Sequence, residues 1–474
     1  MKTLRDLNIN LNEDIPISGL SCSSKLIEKN HCFIALQGLK SHGLDFVDEA
    51  VANGASCILH NKSNYDQKQK VPCFYIKNLH ERQKDILLNF YNICEENLKF
   101  LMFTGTNGKT STAHFTYQIL QKANKDAILV GTLGIESRTS FQETNTTTPN
   151  LFELFEFISK ETYLNDLYVC IEASSHGLEQ NRLIGLGVET RAILNIEKDH
   201  LDFHKNIESY VASKLKILNF PSQNKIILNG DCETSSSLIN NELRDHDKCI
   251  ISSTDRKADY FFSIVKIDKS SCMFKLTIDR KCIDLKVNFF QKYNIYNLIF
   301  AIAATNQIEK NTFLKKDIIE SLILPKGRAK MITKKKKNIL VDYAHNLGGM
   351  KAVIKSVSNI YENLVIVYGC GGERDNSDRE RMMQFASNNS RKVIFTSDNS
   401  RSESFQSILD DSKKDHEYSN LIVEPDRKQA IKLGLELIKE NEILLILGKG
   451  HEEFQEIKGT KIPFNDQRVV EQIL

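Results

Sequence analysis

Leu98-Lys99-Phe100-Leu101-Met102-Phe103-Thr104-Gly105, continuing into Thr106-Asn107-Gly108-Lys109-Thr110-Ser111, is the stretch that decides how this chain folds. Its first eight residues are an almost wholly apolar run closing on glycine, the pattern of a buried strand entering a turn. The residues just beyond, AHFTYQILQKA (113–123), read as a helix. Glycines at a strand-to-helix turn let successive backbone N–H groups converge on phosphate oxygens, and the helix N-terminus adds partial positive charge. Lys109 would neutralise phosphate charge and the Thr110 hydroxyl would reach a Mg²⁺ ion. The general phosphate-loop pattern has glycine where Phe103 stands, so the loop is one residue away from it. Strand, turn and helix in this order imply an α/β domain that takes a nucleoside triphosphate.

The rest of the chain bounds what that domain belongs to. At 474 residues, and about 150 residues per domain, roughly three domains are expected. Lys and Arg number 63 against 61 Asp and Glu, a net charge of +2, so nothing draws the chain electrostatically to nucleic acid or an anionic membrane. Hydrophobic residues make up 41%, too many for a disordered chain. No run approaches the roughly 18 apolar residues of a membrane helix, so no membrane insertion is expected. The opening MKTLRDLNINLNED has charge where a signal peptide has its apolar core. Eleven cysteines stand singly from Cys22 to Cys370 without a C-x-x-C pair, which reads as reduced, mostly buried thiols in a cytoplasmic protein.

Strands are expected at CFIAL (32–36) and ASCILH (55–60), with a helix between them ended by Gly54, and residues 85–97 read as helical. After the phosphate loop come DAILVG (126–131), LYVCIEA (167–173) and TRAILNI (190–196), separated by helical or loop stretches. Strands alternating with helices imply a parallel sheet covered on its faces. Residues 249–290 carry period-two hydrophobicity, the pattern of an antiparallel appendage. A second α/β block has strands NILVDYA (338–344), NLVIVYG (363–369), KVIFTSD (392–398) and EILLILG (442–448). The lysines at 334–337 read as a solvated hairpin tip. The expected architecture is therefore α/β in three domains: an N-terminal α/β domain (1–95), a central phosphate-loop parallel-sheet domain with its appendage (96–328), and a C-terminal Rossmann-like domain (329–474).

Two further clusters follow strands directly. Glu172-Ala173-Ser174-Ser175-His176-Gly177 places an acid where a second ligand for Mg²⁺ is needed, and Asn195-Ile196-Glu197-Lys198-Asp199-His200-Leu201-Asp202 places a histidine among acids. Lys214, inside ESYVASKLKIL, reads on its own as a plain surface lysine.

Together these motifs resemble the ATP-dependent Mur ligases of peptidoglycan synthesis. GTNGKT, EASSHGLEQNR, KDHLDFH and YVASK match in order and spacing, as do Gly327-Arg328, Asp342 to Asn346 (DYAHN), GCGGERD (369–375) and GKGHE (448–452). The resemblance covers essentially the whole chain and favours the branch that adds meso-diaminopimelate. It implies a mechanism in which ATP phosphorylates the free carboxylate of a UDP-MurNAc-dipeptide and the incoming amine attacks the acyl phosphate. Lys109, Glu172, His200 and Lys214 would be catalytic. One Mg²⁺ would be held by Thr110 and Glu172, the other by His200 and a Lys214 carbamylated by CO₂. ATP would contact Gly105, Thr106, Asn107, Gly108, Lys109, Thr110, Ser111, Asn294, Asn297, Arg328, Asp342 and His345. Ser24, Thr146, Thr147, Thr148, Ser174 and Arg182 would hold the UDP-MurNAc-dipeptide, with the N-terminal domain at its UDP end. Arg374, Asp398, Asn399, Arg401, Gly448 and Glu452 would hold diaminopimelate. An arginine pair and an acid suit its distal centre, which carries both carboxylate and ammonium, whereas L-lysine lacks that carboxylate. A monomeric, cytoplasmic enzyme with small-molecule substrates is implied.

The chain departs from the family pattern in four places. Ser23-Ser24-Lys25 replaces Asp-Ser-Arg, and Lys330 replaces a glutamate. Asn346-Leu347-Gly348 replaces Asn-Pro-Asp, and Ser400 replaces the proline of D-N-P-R. Other classes fit less well. GCGGERD lacks the G-x-G-x-x-G spacing of a hydride-transfer cofactor site. A nucleotide switch or transport ATPase would need the phosphate loop but not SSHGLEQNR, KDHLDFH or GKGHE. Among ligases, the alternatives are a lysine-adding Mur enzyme and a folylpolyglutamate-synthase-like enzyme.

Overall fold

The computed structural model describes residues 1–9, 13–38, 41–65, 69–240, 242–243 and 246–474. The chain resolves into two compact units. The first holds Met1–Thr104, Leu120–Arg191 and Ser213–Lys225; the second holds Gly105–Ile119, Ala192–Ala212 and Ile226–Leu474. Among the described residues no helix is long and apolar enough to cross a membrane.

The first unit begins with a four-stranded parallel sheet in chain order, Gly19–Ser21, His31–Ala35, Ala55–His60 and Cys73–Tyr75. Phe33, Ala35, Ile58 and the helix residues Val47 and Ala50 close its small core. The helix Val47–Ala52 stops short of Gly54, whose φ of +110° is a backbone conformation that favours glycine. The same unit carries the strand order Phe141–Gln142, Gly134–Glu136, Asp126–Gly131, Leu167–Glu172, Leu98–Thr104, Val188–Ile193. Its central pairs are parallel, Leu167 to Glu172 running beside both Leu98 to Phe103 and Asp126 to Val130. The central strands Leu98–Thr104 and Leu167–Glu172 are buried at every residue but Lys99, which is why they read as nearly continuous apolar runs.

In the second unit, Ile226–Asn229, Lys248–Ser252 and Tyr260–Ile267 pair in parallel. The last of these turns into an antiparallel ribbon with Cys272–Ile278 and Lys281–Val287, as the period-two pattern implied. The six-stranded sheet follows in the order Lys330–Lys334, Lys337–Asp342, Ile443–Leu447, Leu364–Tyr368, Lys392–Phe395, Leu421–Val423. It is parallel except for its first strand. Lys334 pairs with Lys337 across a two-residue turn in which Lys335 and Lys336 both have positive φ, so the lysine run is a hairpin tip.

Two expectations shift in detail. The strand of TRAILNI ends at Ile193, and Leu194 onward leaves the sheet. The helix expected across 85–97 is Gln83–Tyr91 followed by a separate turn at Glu95–Asn97, because Asn92 adopts a left-handed conformation that ends the helix. All eleven cysteines are free, and six are buried: Cys32, Cys57, Cys170, Cys249, Cys272 and Cys370.

One ion pair braces the six-stranded sheet. Arg427 and Asp466 are both fully buried, joined at 2.7 and 2.8 Å, and Arg427 also donates to the carbonyl of Leu447 at 2.9 Å. Removing one partner of such a pair leaves a buried charge unopposed. Arg427→Met should therefore cost about 3–5 kcal/mol in urea unfolding. A loss below about 1 kcal/mol would show that the pair does not brace the sheet.

Candidate active site

The phosphate loop is held from below by the segment that leaves the sheet after Ile193. Thr106 N–H donates to the Asn195 carbonyl at 2.9 Å, Asn107 N–H to Asn195 Oδ1 at 2.9 Å, and Asn195 Nδ2 returns a bond to the Asn107 carbonyl at 2.9 Å. Thr106 Oγ1 accepts from the Glu197 N–H at 2.9 Å and donates to the Glu197 carbonyl at 3.0 Å. Gly108 has a φ of +91°, and a Cβ there would collide with Asn297 Oδ1, so only glycine fits. Lys109 Nζ curls over the loop to the carbonyls of Gly105 (2.8 Å) and Thr106 (3.1 Å).

A cavity of about 470 Å³ opens over this loop, within the range of small-molecule and cofactor sites. Nine of the twelve residues expected around ATP line it: Asn107, Gly108, Thr110, Ser111, Asn294, Asn297, Arg328, Asp342 and His345. Gly105, Thr106 and Lys109 form the loop beneath. Arg328 stacks on the Tyr343 ring, 4.3 Å from its centroid, and donates to Thr110 Oγ1 at 3.0 Å. Asp342 accepts from the N–H groups of Ala329 (2.6 Å) and Ala344 (2.8 Å). Burial pushes its pKa up, while Arg328 and those two N–H groups favour its charge.

A second, narrower crevice of about 120 Å³ lies outside the carboxyl ends of the six-stranded sheet, where open parallel sheets bind ligands. All six residues expected to read the amino acid line it: Arg374, Asp398, Asn399, Arg401, Gly448 and Glu452. Lys198, Asp199 and His200 line it as well, and Tyr343 and His345 line both cavities. Behind it, fully buried Lys449 donates to Glu452 Oε2 at 2.6 Å and to Asn399 Oδ1 at 2.9 Å, and Asn399 Nδ2 donates to the same Glu452 oxygen at 2.8 Å. Arg379 supports the facing loop through Glu403, Asp411 and the Gly371 carbonyl. Ser400 N–H donates to the Asp398 carbonyl at 3.1 Å, a bond that proline there could not make.

In the first unit, Glu172 ends its strand 1% exposed. Its Oε1 accepts from Thr132 N–H at 2.9 Å, and its Oε2 from the Thr132 hydroxyl at 3.2 Å. Thr148 Oγ1 donates to the Glu172 carbonyl at 2.6 Å and lies 2.9 Å from Ser174 Oγ. Arg182 donates to the Thr148 carbonyl at 2.7 Å, and Thr147 Oγ1 stands 3.2 Å from Thr132 Oγ1. Thr146 donates to the Thr148 carbonyl at 3.0 Å. The threonine run, Ser174 and Arg182 are thus one cluster. Ser24 stands apart, donating to Glu49 Oε2 at 2.5 Å. Lys214, which its sequence alone would have placed at the surface, is 1% exposed.

Sequence reading missed Lys449, Tyr343 and Asp231. The Asp231 carboxylate is held by Ser252, Ser253, Thr254 and Tyr296 beside the larger cavity. Only the strand end IILN before Asp231 hinted at it.

With the geometry described, similarity to known proteins can be placed. The model of the Mur ligase middle domain matches residues 103–305, and that of the Mur ligase, glutamate ligase domain matches residues 327–450. A protein of Wigglesworthia glossinidia brevipalpis named UDP-N-acetylmuramoyl-L-alanyl-D-glutamate--2,6-diaminopimelate ligase is 32% identical, the match covering 97% of this chain and 95% of that protein. One of the same name from Aquifex aeolicus is 30% identical over 97% of this chain and 94% of its own length. A solved structure of a ligase of that name has a TM-score of 0.69 and 27% identity, covering 99% of this chain and 98% of that one. The chain belongs to the Mur ligase family.

The Lys449–Glu452 contact should be measurable as a coupling. Lys449→Met alone should cost about 2–3 kcal/mol, and Lys449→Met with Glu452→Gln less than the two single losses added. Additivity within about 0.5 kcal/mol would show that the pair is not coupled.

Proposed function

We propose that this chain is an ATP-dependent amide ligase that joins meso-diaminopimelate to UDP-N-acetylmuramoyl-L-alanyl-D-glutamate, a step of peptidoglycan precursor synthesis. One observation carries the proposal: the six residues expected for the amino acid line a single crevice that shares Tyr343 and His345 with the nucleotide cavity. The diaminopimelate ligases named above support the same reading.

The physical difficulty of the reaction is that an anionic carboxylate must approach an anionic γ-phosphate. Lys109, poised over the loop, would neutralise part of that charge, and the loop N–H groups would hold the phosphates in line. The dipeptide would be gripped by Ser174, Arg182 and the threonines at 146–148, with residues 1–95 taking the UDP end. Once the acyl phosphate forms, the amine attacks its carbonyl carbon, phosphate leaves, and the amine loses its protons to give the amide. Arg374 and Arg401 would read the distal carboxylate of the amino acid, and Glu452 its ammonium. Residues 96–328 would perform the chemistry and 329–474 deliver the amino acid. The enzyme would work as a cytoplasmic monomer.

Mg²⁺ belongs to the proposal, with Thr110, Glu172, His200 and carbamylated Lys214 as its holders. When bound, it supplies charge neutralisation between the two anions. The donor set is of the kind a hard cation takes: the Thr110 hydroxyl and the Glu172 carboxylate offer oxygen, and carbamylation would turn Lys214 into a further oxygen donor. CO₂ adds to a neutral amine, and the Lys214 side chain that would carry it is 1% exposed.

Phosphate release should require the UDP-dipeptide, ATP and meso-diaminopimelate together. Turnover with L-lysine instead would overturn the amino-acid assignment, and turnover indifferent to all acceptors would overturn the ligase itself. Lys109→Ala should lower kcat by about 10²–10³-fold. In Gly131→Ala the new methyl would collide with Glu172 Oε1, so turnover should fall at least about tenfold (about 1.4 kcal/mol) while the folded spectrum is kept.

A further inference from the structure

Position 348 is where the motif resemblance leads one to expect an acid, and glycine stands there instead. It is the second residue of the helix Leu347–Ser358, a place where glycine weakens a helix, and its φ is not positive. Space explains it. A Cβ on Gly348 would overlap Glu197 Oε2, which comes from the segment strapping the phosphate loop. The helix has no acid in its own first turn, where a carboxylate is favoured by the exposed N–H groups and the helix dipole.

Glu197 is also tied to the loop it approaches from. Its backbone N–H and carbonyl both bond Thr106 Oγ1, and its Oε2 accepts from Asn107 Nδ2 at 3.5 Å. The helix start reaches back in the same way: Asn346 Nδ2 donates to Asp199 Oδ2 at 2.9 Å and to Asn107 Oδ1 at 3.4 Å. Glu197, Asn107 and Gly348 all line the larger cavity. Partial desolvation raises the Glu197 pKa, Lys351 one turn into the helix opposes the rise, and Asp199 adds to it.

We infer that Glu197 is a positioning residue: its carboxylate fills the space in front of Gly348, supplies the helix with the first-turn acid it lacks, and so holds the phosphate loop and the helix Leu347–Ser358 at one spacing across the nucleotide cavity. This rests on reading that cavity as the ATP site. Residues 197 and 348 then form one device, in which an acid delivered from either side does the same work but two acids cannot fit.

The test is a reciprocal exchange. The dissociation constant of a non-hydrolysable ATP analogue is measured by calorimetry, beside KM for ATP, KM for the UDP-dipeptide and the melting temperature. Glu197→Gly should weaken analogue binding and raise KM for ATP three- to tenfold, on the order of a lost helix-end charge contact. KM for the UDP-dipeptide and the melting temperature should barely change. Gly348→Asp alone should be impaired similarly, because its side chain competes with Glu197 for one space. The double variant Glu197→Gly/Gly348→Asp should return to within about twofold of the parent, the non-additivity expected of a shared site. A double variant as poor as the two single effects multiplied, or a Glu197→Gly with unchanged analogue binding, would overturn the inference. A parent chain that binds the analogue but shows no acceptor-dependent turnover would instead sink the ligase reading, while the binding data still decide the role of Glu197.

Discussion

The exchange of hydrogen bonds between Asn195 and the loop at Thr106–Asn107 is the constraint on which the rest of the nucleotide cavity depends. A phosphate loop offers converging N–H groups only if its own carbonyls are turned away and fixed. Here a segment that has just left the sheet fixes the Asn107 carbonyl through Asn195 Nδ2 and anchors the Thr106 hydroxyl, while the N–H groups of Thr106 and Asn107 are themselves spent on Asn195. Because that segment goes on to Lys198, Asp199 and His200, it also forms part of the lining of the second crevice. Shorten the sheet departure by one residue and both would move.

The second crevice obeys a different rule. Its charged lining is large relative to its volume, and charges at such density stay in place only when each has a fixed partner. Arg379 spends its guanidinium on Glu403, Asp411 and a carbonyl, while Lys449 spends its ammonium on Glu452 and Asn399. Arg401 is itself engaged, through Nη1 with the Gly372 carbonyl and at 3.6 Å from Glu456, so Arg374 and the second oxygen of Glu452 are the less committed charges of the lining. Selectivity in a crevice of this kind would come from which charges are already satisfied as much as from which are present.

Much of this was legible in the sequence, and the reasons differ by region. Buried parallel strands such as Leu98–Thr104 and Ile443–Leu447 announced themselves because both faces are covered, leaving no polar interruption. The antiparallel ribbon showed its alternation for the opposite reason, one face being wet. Residues whose work depends on local spacing, such as Gly108 and Lys109, could be read from their neighbours in the chain. Lys214 and Lys449 could not, because a lysine is buried or exposed according to what packs over it from elsewhere in the fold. The short strand Leu421–Val423 was missed because three residues carry no periodicity. The departure at Gly348 has its reason in Glu197, 151 positions earlier in the numbering, which local sequence could not bring beside it.

Tyr343 and His345 belong to the lining of both cavities, so the two compartments share a wall. The Tyr343 ring in that wall packs against Arg328, His345 and His451. An elongated compound that presses the Tyr343 ring aside would occupy both compartments at once, and its second half would bind at the high local concentration set by a short tether. Two weak fragments, each matched to one compartment, would then combine into a ligand far tighter than either, with the length of the tether dictated by a single aromatic ring.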